Sequence, residues 1–598
     1  MFPMVHRSAF DVRCTEIESR RYRGAGGLAS CAVAMRGIRR THPGLVQFGL
    51  AMVMGIVGLI LAAGSSLLDT HLHRGLETGS EQPYVVHATG RALATNIDLT
   101  AFPPTEFERI AATLQLAGFR YVRQPLKWSS VEVRQGEFDW GITDAIIGAL
   151  DAHRVEPILV LSGSPEWARG VAHQNATDAA PADPSDFARF TGEVVRRYGD
   201  RVRFIQIWDL PNYADNWDGT SATPSGYLSL LAPAFTASQE ANSDVKVVLA
   251  ELVPGEVDAA VSGDLAFLRG LYELGGNSYF DIVAIRLDGG DKAPTARGVT
   301  ADQLSLARAS LFRDVLVAYD DAATPIWVTH FGWNASPETG QVSRDQQADF
   351  VELGLRRSAQ EWPWVGLLFQ WAFVPSASGN DSGYALLNEA GEATPLYSRV
   401  SDLASAGGAA VAASGFAPMD SASVSYAGTW SDQHLGDQSF RTTGEVGATA
   451  TLRFRGSGVV AFLRYGPESG LVHITIDGRP LAGRQVVEGA SELDMASFQT
   501  VDVPVTLTRG LDQGEHELQI SLASRGQLTL GGLVVIRDLS LMWPVVLLAS
   551  AGAVLIALAV REVIYAIAVQ GGHLQGGRGS DLWPELPRLP EWRPSRRA

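Results

Sequence analysis

A chain of 598 residues exceeds what one ordinary hydrophobic core supports, so at least two folded units are expected. Its 46% hydrophobic and 19% charged residues exclude a disordered chain. A formal net charge of −17 excludes a basic, nucleic-acid-binding surface.

Residues 1–43 form a basic segment, with eight Arg against three acids, and hold both cysteines, Cys14 and Cys31. Residues 44–68, GLVQFGLAMVMGIVGLILAAGSSLL, then carry no charge at all, which is enough to cross a bilayer as a helix. No small-x-small cleavage pattern follows a short apolar core here, so a retained anchor fits this run better than a cleaved signal peptide. The uncharged run 539–560 is a second expected span, with Trp543 near its edge, and 561–598 is a short tail with six Arg against four acids. Basic residues at both ends place both termini in the cytoplasm and the segment between the spans outside the cytoplasmic membrane. Setting aside the surplus of five and two positive charges on these end segments, the formal −17 becomes −24 for the part between. A neutral or cationic partner suits such a surface, whereas nucleic acid and anionic lipid do not.

From 85 to 403 short apolar runs alternate with amphipathic patterns. The strand candidates are 90–99, 118–126, 156–165, 203–211, 245–252, 280–288, 325–333 and 364–373. Between them, residues 185–199 space Phe187, Phe190, Val194 and Tyr198 at helical steps, with Ser185 as the expected cap and Gly199 as the stop. Eight such units predict a (β/α)8 TIM barrel. Residues 404–424 are rich in small residues and read as a linker. Over 425–537, β-type alternation broken by Gly, Pro and Asp turns predicts a β-sandwich. The fold class is therefore α/β: a barrel, then a sandwich, flanked by two transmembrane helices.

Barrel sites form at the C-terminal ends of the strands. That rule selects Arg123, Trp128, Ser164, Trp167, Trp208, Asp209, Leu210, Asn212, Arg286, Asp288, His330, Trp333 and Trp371. Trp217 stands in the loop after the fourth strand. Exposed indole faces stack on the apolar faces of sugar rings, and that gives Trp128, Trp167, Trp208, Trp217, Trp333 and Trp371 which, with the strand-end residues Arg123 and Asn212, make the expected substrate-binding set. Packing of the barrel rim is the competing reading for about half of the tryptophans, since Trp is usually well buried. No second His lies at ligand spacing from His330, so neither a metal nor another cofactor is expected.

The segments GFRYVRQPLKWSSVEVRQGEFDW, LVLSGSPEWA and YALLNEAGEATPLY, taken in this order, resemble the clan A glycoside hydrolases, in the style of family 39 and of enzymes of bacterial exopolysaccharide systems. The resemblance covers about half of the chain and implies a sugar-binding barrel. It also implies an acid/base Glu where this chain has Leu210 and a nucleophilic Glu where it has His330. Where the sixth strand of the family commonly ends His-Pro-Tyr, this chain has Arg286-Leu287-Asp288. Retaining hydrolysis needs two carboxyl groups about 5–5.5 Å apart, and neither Leu nor a neutral imidazole supplies one. The sandwich resembles modules appended to secreted carbohydrate enzymes, with Trp430 and Tyr465 as platform or core aromatics.

Three readings follow. The first is a membrane-tethered pseudo-glycosidase that binds polysaccharide or oligosaccharide, working with envelope or exopolysaccharide assembly proteins. The second is an active glycoside hydrolase using relocated carboxylates such as Asp209 or Asp288, with Glu166, Asp215, Asp218 and Asp381 as further acidic loop residues. The third is a structural or signalling ectodomain that binds protein.

Overall fold

The computed structural model describes residues 43–76, 85, 93–170, 179–217, 219, 222–254, 263–301, 303–338, 340–376, 381–405, 411–419, 421, 423–435, 438–539 and 541–574. Cys14, Cys31, Asp218 and most of both end segments lie outside them. The chain divides into two units, 71–540 and the paired terminal regions 1–70 and 541–598.

In the larger unit eight parallel strands form one sheet. They are β1 (Leu93–Asn96), β2 (Phe119–Lys127), β3 (Glu156–Ser162), β4 (Phe204–Ile207), β5 (Lys246–Val248), β6 (Val283–Asp288), β7 (Ile326–Gly332) and β8 (Val365–Gln370). Their spatial order is 5-4-3-2-1-8-7-6, and a parallel bridge between Val248 and Ile282 joins the two end strands into a near-closed barrel. Seven strands fall inside their apolar runs and β2 runs one residue past its own, to Lys127, and each is followed by a helix before the next begins or the barrel ends. The helix over Pro184–Tyr198 buries Phe187, Phe190, Val194 and Tyr198 as their spacing requires. Its cap is Asp183 rather than Ser185: the Asp183 side chain accepts from the Ser185 backbone N–H, and Pro184 takes the first helical position, where no N–H is needed.

Two layers fill the barrel. Ala94, Ile158, Phe204, Val248, Ile282, Ala284, Trp327, Leu367 and Phe369 make one buried apolar cluster. Strand side chains alternate with period two, so two residues past Ala94, Phe204 and Ala284 come Asn96, Gln206 and Arg286. A polar layer thus sits directly above the apolar one, toward the strand C-termini. In β7 the register slips against both neighbours, and His330 comes level with Arg286.

Two antiparallel sheets, of seven and six strands, follow the barrel. Thr449–Gly456 buries Ala450, Leu452 and Phe454, and Gly458–Tyr465 buries Val459, Ala461 and Leu463, in one shared core. Gly415–Ala417, within the stretch read as linker, pairs antiparallel with Leu528–Ile536. Gly415 fits there because it has no side chain: a Cβ would lie 2.2 Å from Pro363 Cβ. The sandwich also caps a barrel helix, since Gln360 near the end of Arg344–Glu361 offers its carbonyl to Arg537 Nη1 at 2.9 Å and Ser414 Oγ at 3.3 Å.

In the smaller unit, the stretches Val46–His73 and Met542–Ala568 are helices long and apolar enough to cross a membrane, with mean hydropathy 2.2 and 2.3. They touch in an antiparallel crossing at Gly58 and Gly552, where a Cβ on Gly552 would lie 2.8 Å from the Gly58 carbonyl oxygen. Ser65 Oγ donates to the Val545 carbonyl at 3.0 Å across the same pair.

Candidate functional site

The polar layer converges on Arg123 of β2, which is buried. It donates from Nε to Gln206 Oε1 at 3.0 Å, from Nη1 to Asn96 Oδ1 at 3.3 Å and from Nη2 to Asp209 Oδ1. Burial works against its charge, but Asp209 and Glu251 outweigh that and hold the Arg123 pKa above its ordinary value. Gln206 Nε2 also reaches Asp209 Oδ1, at 3.2 Å, so two side chains grip this carboxylate.

Arg286 of β6 donates from Nη1 to Glu251 Oε1 at 3.2 Å and lies with Nη2 3.4 Å from His330 Nε2. The imidazole stacks on Trp371, with ring centroids 4.5 Å apart. Burial, then Arg286 and Arg123, push the His330 pKa well below its ordinary value, so the ring is neutral. Magnitude supports this, because two positive charges 4 Å apart would repel by about 4 kcal/mol at an effective dielectric of 20. A neutral ring that accepts from Arg286 at Nε2 carries its proton on Nδ1. Beside it, Tyr384 donates its hydroxyl to Asp288 Oδ2. Burial and then Asp288 raise the phenol pKa, so it remains a donor at neutral pH.

At the end of β4 the chain turns with Trp208 and Leu210 both at positive φ, 68° and 49°. Few side chains adopt this region, and it persists only when surroundings fix it. Here the Trp208 N–H donates to Leu161 O at 2.8 Å, the indole N–H to Asn216 O at 2.8 Å, and the Leu210 N–H to Glu251 O at 3.1 Å. Leu210 is therefore held at the mouth, half-buried and without polar function.

The tryptophans divide as follows. Trp128, Trp208 and Trp333 are fully buried, so the expectation that they present a face to a sugar is corrected. Trp128 packs edge-on to Trp167 and donates to Glu132 Oε2 at 2.7 Å, and Trp333 donates to Lys292 O at 2.8 Å. Asn212 is corrected too. It is buried and exchanges hydrogen bonds of 2.9 and 2.8 Å with the Val253 backbone, stapling two loops together. Trp167, Trp217 and Trp371 stay half-buried, and of these Trp371 stands with Arg123, Asp209, Asp288 and His330 in the connected layer. Trp167 is tied to Glu132 O at 3.0 Å, and Trp217 packs on Trp208.

Of the other acidic loop residues, Asp381 accepts the Ser376 N–H and hydroxyl at 2.8 Å each, and Asp215 accepts Tyr213 OH at 3.0 Å. Glu166 is exposed. Among the described residues no group of three His, Cys, Asp or Glu side chains is placed to hold a metal ion.

Glu251, just past β5, was not selected from the sequence, although it closes the run VKVVLAEL and the strand-end rule reaches it. It is 2% exposed and ties Arg286 to Arg123, the latter at 3.9 Å. Tyr384 and Gln370 were also missed. Tyr384 lies in a loop with no strand pattern, and Gln370 donates from Nε2 to the Trp371 and Tyr384 carbonyls at 2.9 and 3.2 Å.

Chemically, the layer can bind a polar ligand and orient it. At His330 it presents a neutral imidazole with a guanidinium beside it, and at Leu210 a hydrocarbon. The carboxylates it does hold are each engaged: Asp209 by Arg123, Glu251 by Arg286, and Asp288 by Tyr384.

No protein-family model and no curated protein matches the chain. Solved structures similar to it include a family 39 glycoside hydrolase from the gut symbiont Bacteroides cellulosilyticus WH2, at 15% identity over 74% of this chain and 83% of that one, with a TM-score of 0.43. A glucosidase from Croceicoccus marinus is similar at 13% identity over 75% of this chain and 98% of its own, TM-score 0.40. A family 30 subfamily 8 xylanase from Clostridium acetobutylicum is similar at 13% identity over 75% and 97%, TM-score 0.37.

Proposed function

We propose that the protein is a membrane-tethered pseudo-glycosidase whose barrel, held outside the cytoplasmic membrane, binds a polysaccharide or oligosaccharide without cleaving it. The observation that carries this is the pairing of His330 with Arg286. A retaining glycosidase stabilises an oxocarbenium-like centre with a carboxylate. Here the corresponding strand end has a neutral ring whose Nε2 lies 3.4 Å from a guanidinium nitrogen. Positive charge at that point opposes the developing cation, and Leu210 has no proton to give. The polar layer and the half-buried Trp371 remain as a surface for hydroxyl groups and a sugar ring. Two apolar helices support the tether, and proximity to the membrane suits a nascent or surface-attached chain and partners in envelope or exopolysaccharide assembly.

The reading is tested on the full chain in detergent micelles, titrated calorimetrically with neutral and cationic oligosaccharides. Binding that Trp371→Ala weakens about tenfold or more is expected for a lost ring contact. Absence of binding across the panel, or binding that Trp371→Ala leaves untouched, would sink it.

A further inference from the structure

The floor of the mouth holds two buried polar atoms without a hydrogen-bond partner among the described residues: Glu251 Oε2 and His330 Nδ1. Glu251 Oε2 lies 3.9 Å from Arg123 Nη2, close enough for attraction but too far for a hydrogen bond. His330 and Glu251 share one guanidinium, Arg286. Buried polar atoms are normally paired, and a charged one left unpaired is the costliest kind. One acceptor and one N–H donor together match a hydroxyl group, which donates and accepts at once.

The local charges sharpen this. Asp209 is the direct partner of Arg123, and Asp288 is held by the Tyr384 hydroxyl. Glu251 is then the carboxylate that balances Arg286, and without it that guanidinium has no carboxylate partner. Building on the carbohydrate-binding reading above, we propose that Glu251 determines specificity. By neutralising Arg286 and offering Oε2, it selects the hydroxyl of an uncharged or amino sugar and rejects a carboxylate-bearing, uronate-type sugar.

The test uses the full chain in detergent micelles and three probes: cellohexaose, a chitosan hexamer and a galacturonic acid hexamer. Wild-type protein is expected to bind cellohexaose or the chitosan hexamer and not the uronate. Glu251→Gln should lose about tenfold or more of that affinity and gain the uronate, since a charged acceptor is removed and the Arg286 guanidinium is left without a carboxylate. A purely structural role would weaken all probes alike and would not reverse the preference. If Glu251→Gln fails to fold by circular dichroism, Arg286→Met is read instead. It keeps Glu251, and it should strengthen the chitosan hexamer while leaving the uronate unbound. An unchanged preference in Glu251→Gln or, where Arg286→Met is read, an unchanged affinity for the chitosan hexamer overturns this inference alone. Wild-type protein that binds none of the three overturns the carbohydrate reading, and this inference with it.

Discussion

His330 enters the mouth where the Arg286 guanidinium already sits, and burial together with that charge keeps it neutral. The consequence for stability has a definite sign. Above the ordinary His pKa of about 6.5 both folded and unfolded chains carry a neutral ring and the residue adds no pH dependence. Below it the unfolded chain takes up a proton that the folded one refuses. Stability therefore falls as pH drops, by about 1.4 kcal/mol per pH unit until the depressed folded pKa is reached. Urea unfolding at pH 7, 6 and 5 should show this slope in wild type and a shallower one in His330→Gln. An identical slope in both would mean that the ring already protonates in the folded state. Neither the pairing with Arg286 nor the register slip in β7 is written in the sequence, because both depend on which strands become neighbours. That His330 stands where the resemblance implies a carboxylate was legible, but the reason it stays neutral was not.

Among the elements, what the sequence shows follows periodicity and local chemistry. Eight apolar runs of strand length sufficed to place eight strands, since buried parallel strands need apolar residues on both faces. The tryptophans illustrate the limit. Trp128, Trp208 and Trp333 stand at strand ends as Trp371 does, yet they turn into the helix layer, and no local pattern separates a platform from a packing residue. Glu251 lay within reach of the same strand-end rule. Helix Arg344–Glu361 offers an element-scale test, because it begins with a reciprocal box: Ser343 Oγ accepts the Gln346 N–H at 3.2 Å, and Gln346 Oε1 accepts the Ser343 N–H at 3.0 Å. Ser343→Ala should lower stability by about 1 kcal/mol by thermal or chemical unfolding. No loss would mean that solvent satisfies the helix start equally well. The other end of that helix is closed by Ser414 and Arg537, so barrel and sandwich share polar contacts.

Taken whole, the chain joins an acidic two-domain segment to two membrane-compatible helices that touch each other at Gly58 and Gly552. The sequence makes the proposed topology easy to test, since Cys14 and Cys31 are its only cysteines and both precede the first span. A membrane-impermeant maleimide added to intact cells should label neither, and both should react once the membrane is permeabilised. Labelling in intact cells would place the N-terminus outside and reverse the orientation. The account as a whole turns on binding without cleavage, and the most direct measurement is a long incubation of the full chain with an oligosaccharide it binds, followed by quantification of new reducing ends. The account predicts none above a protein-free control while binding is retained. New reducing ends that vanish in Asp209→Asn or Asp288→Asn would contradict it, and would show that relocated carboxylates make this barrel a working hydrolase.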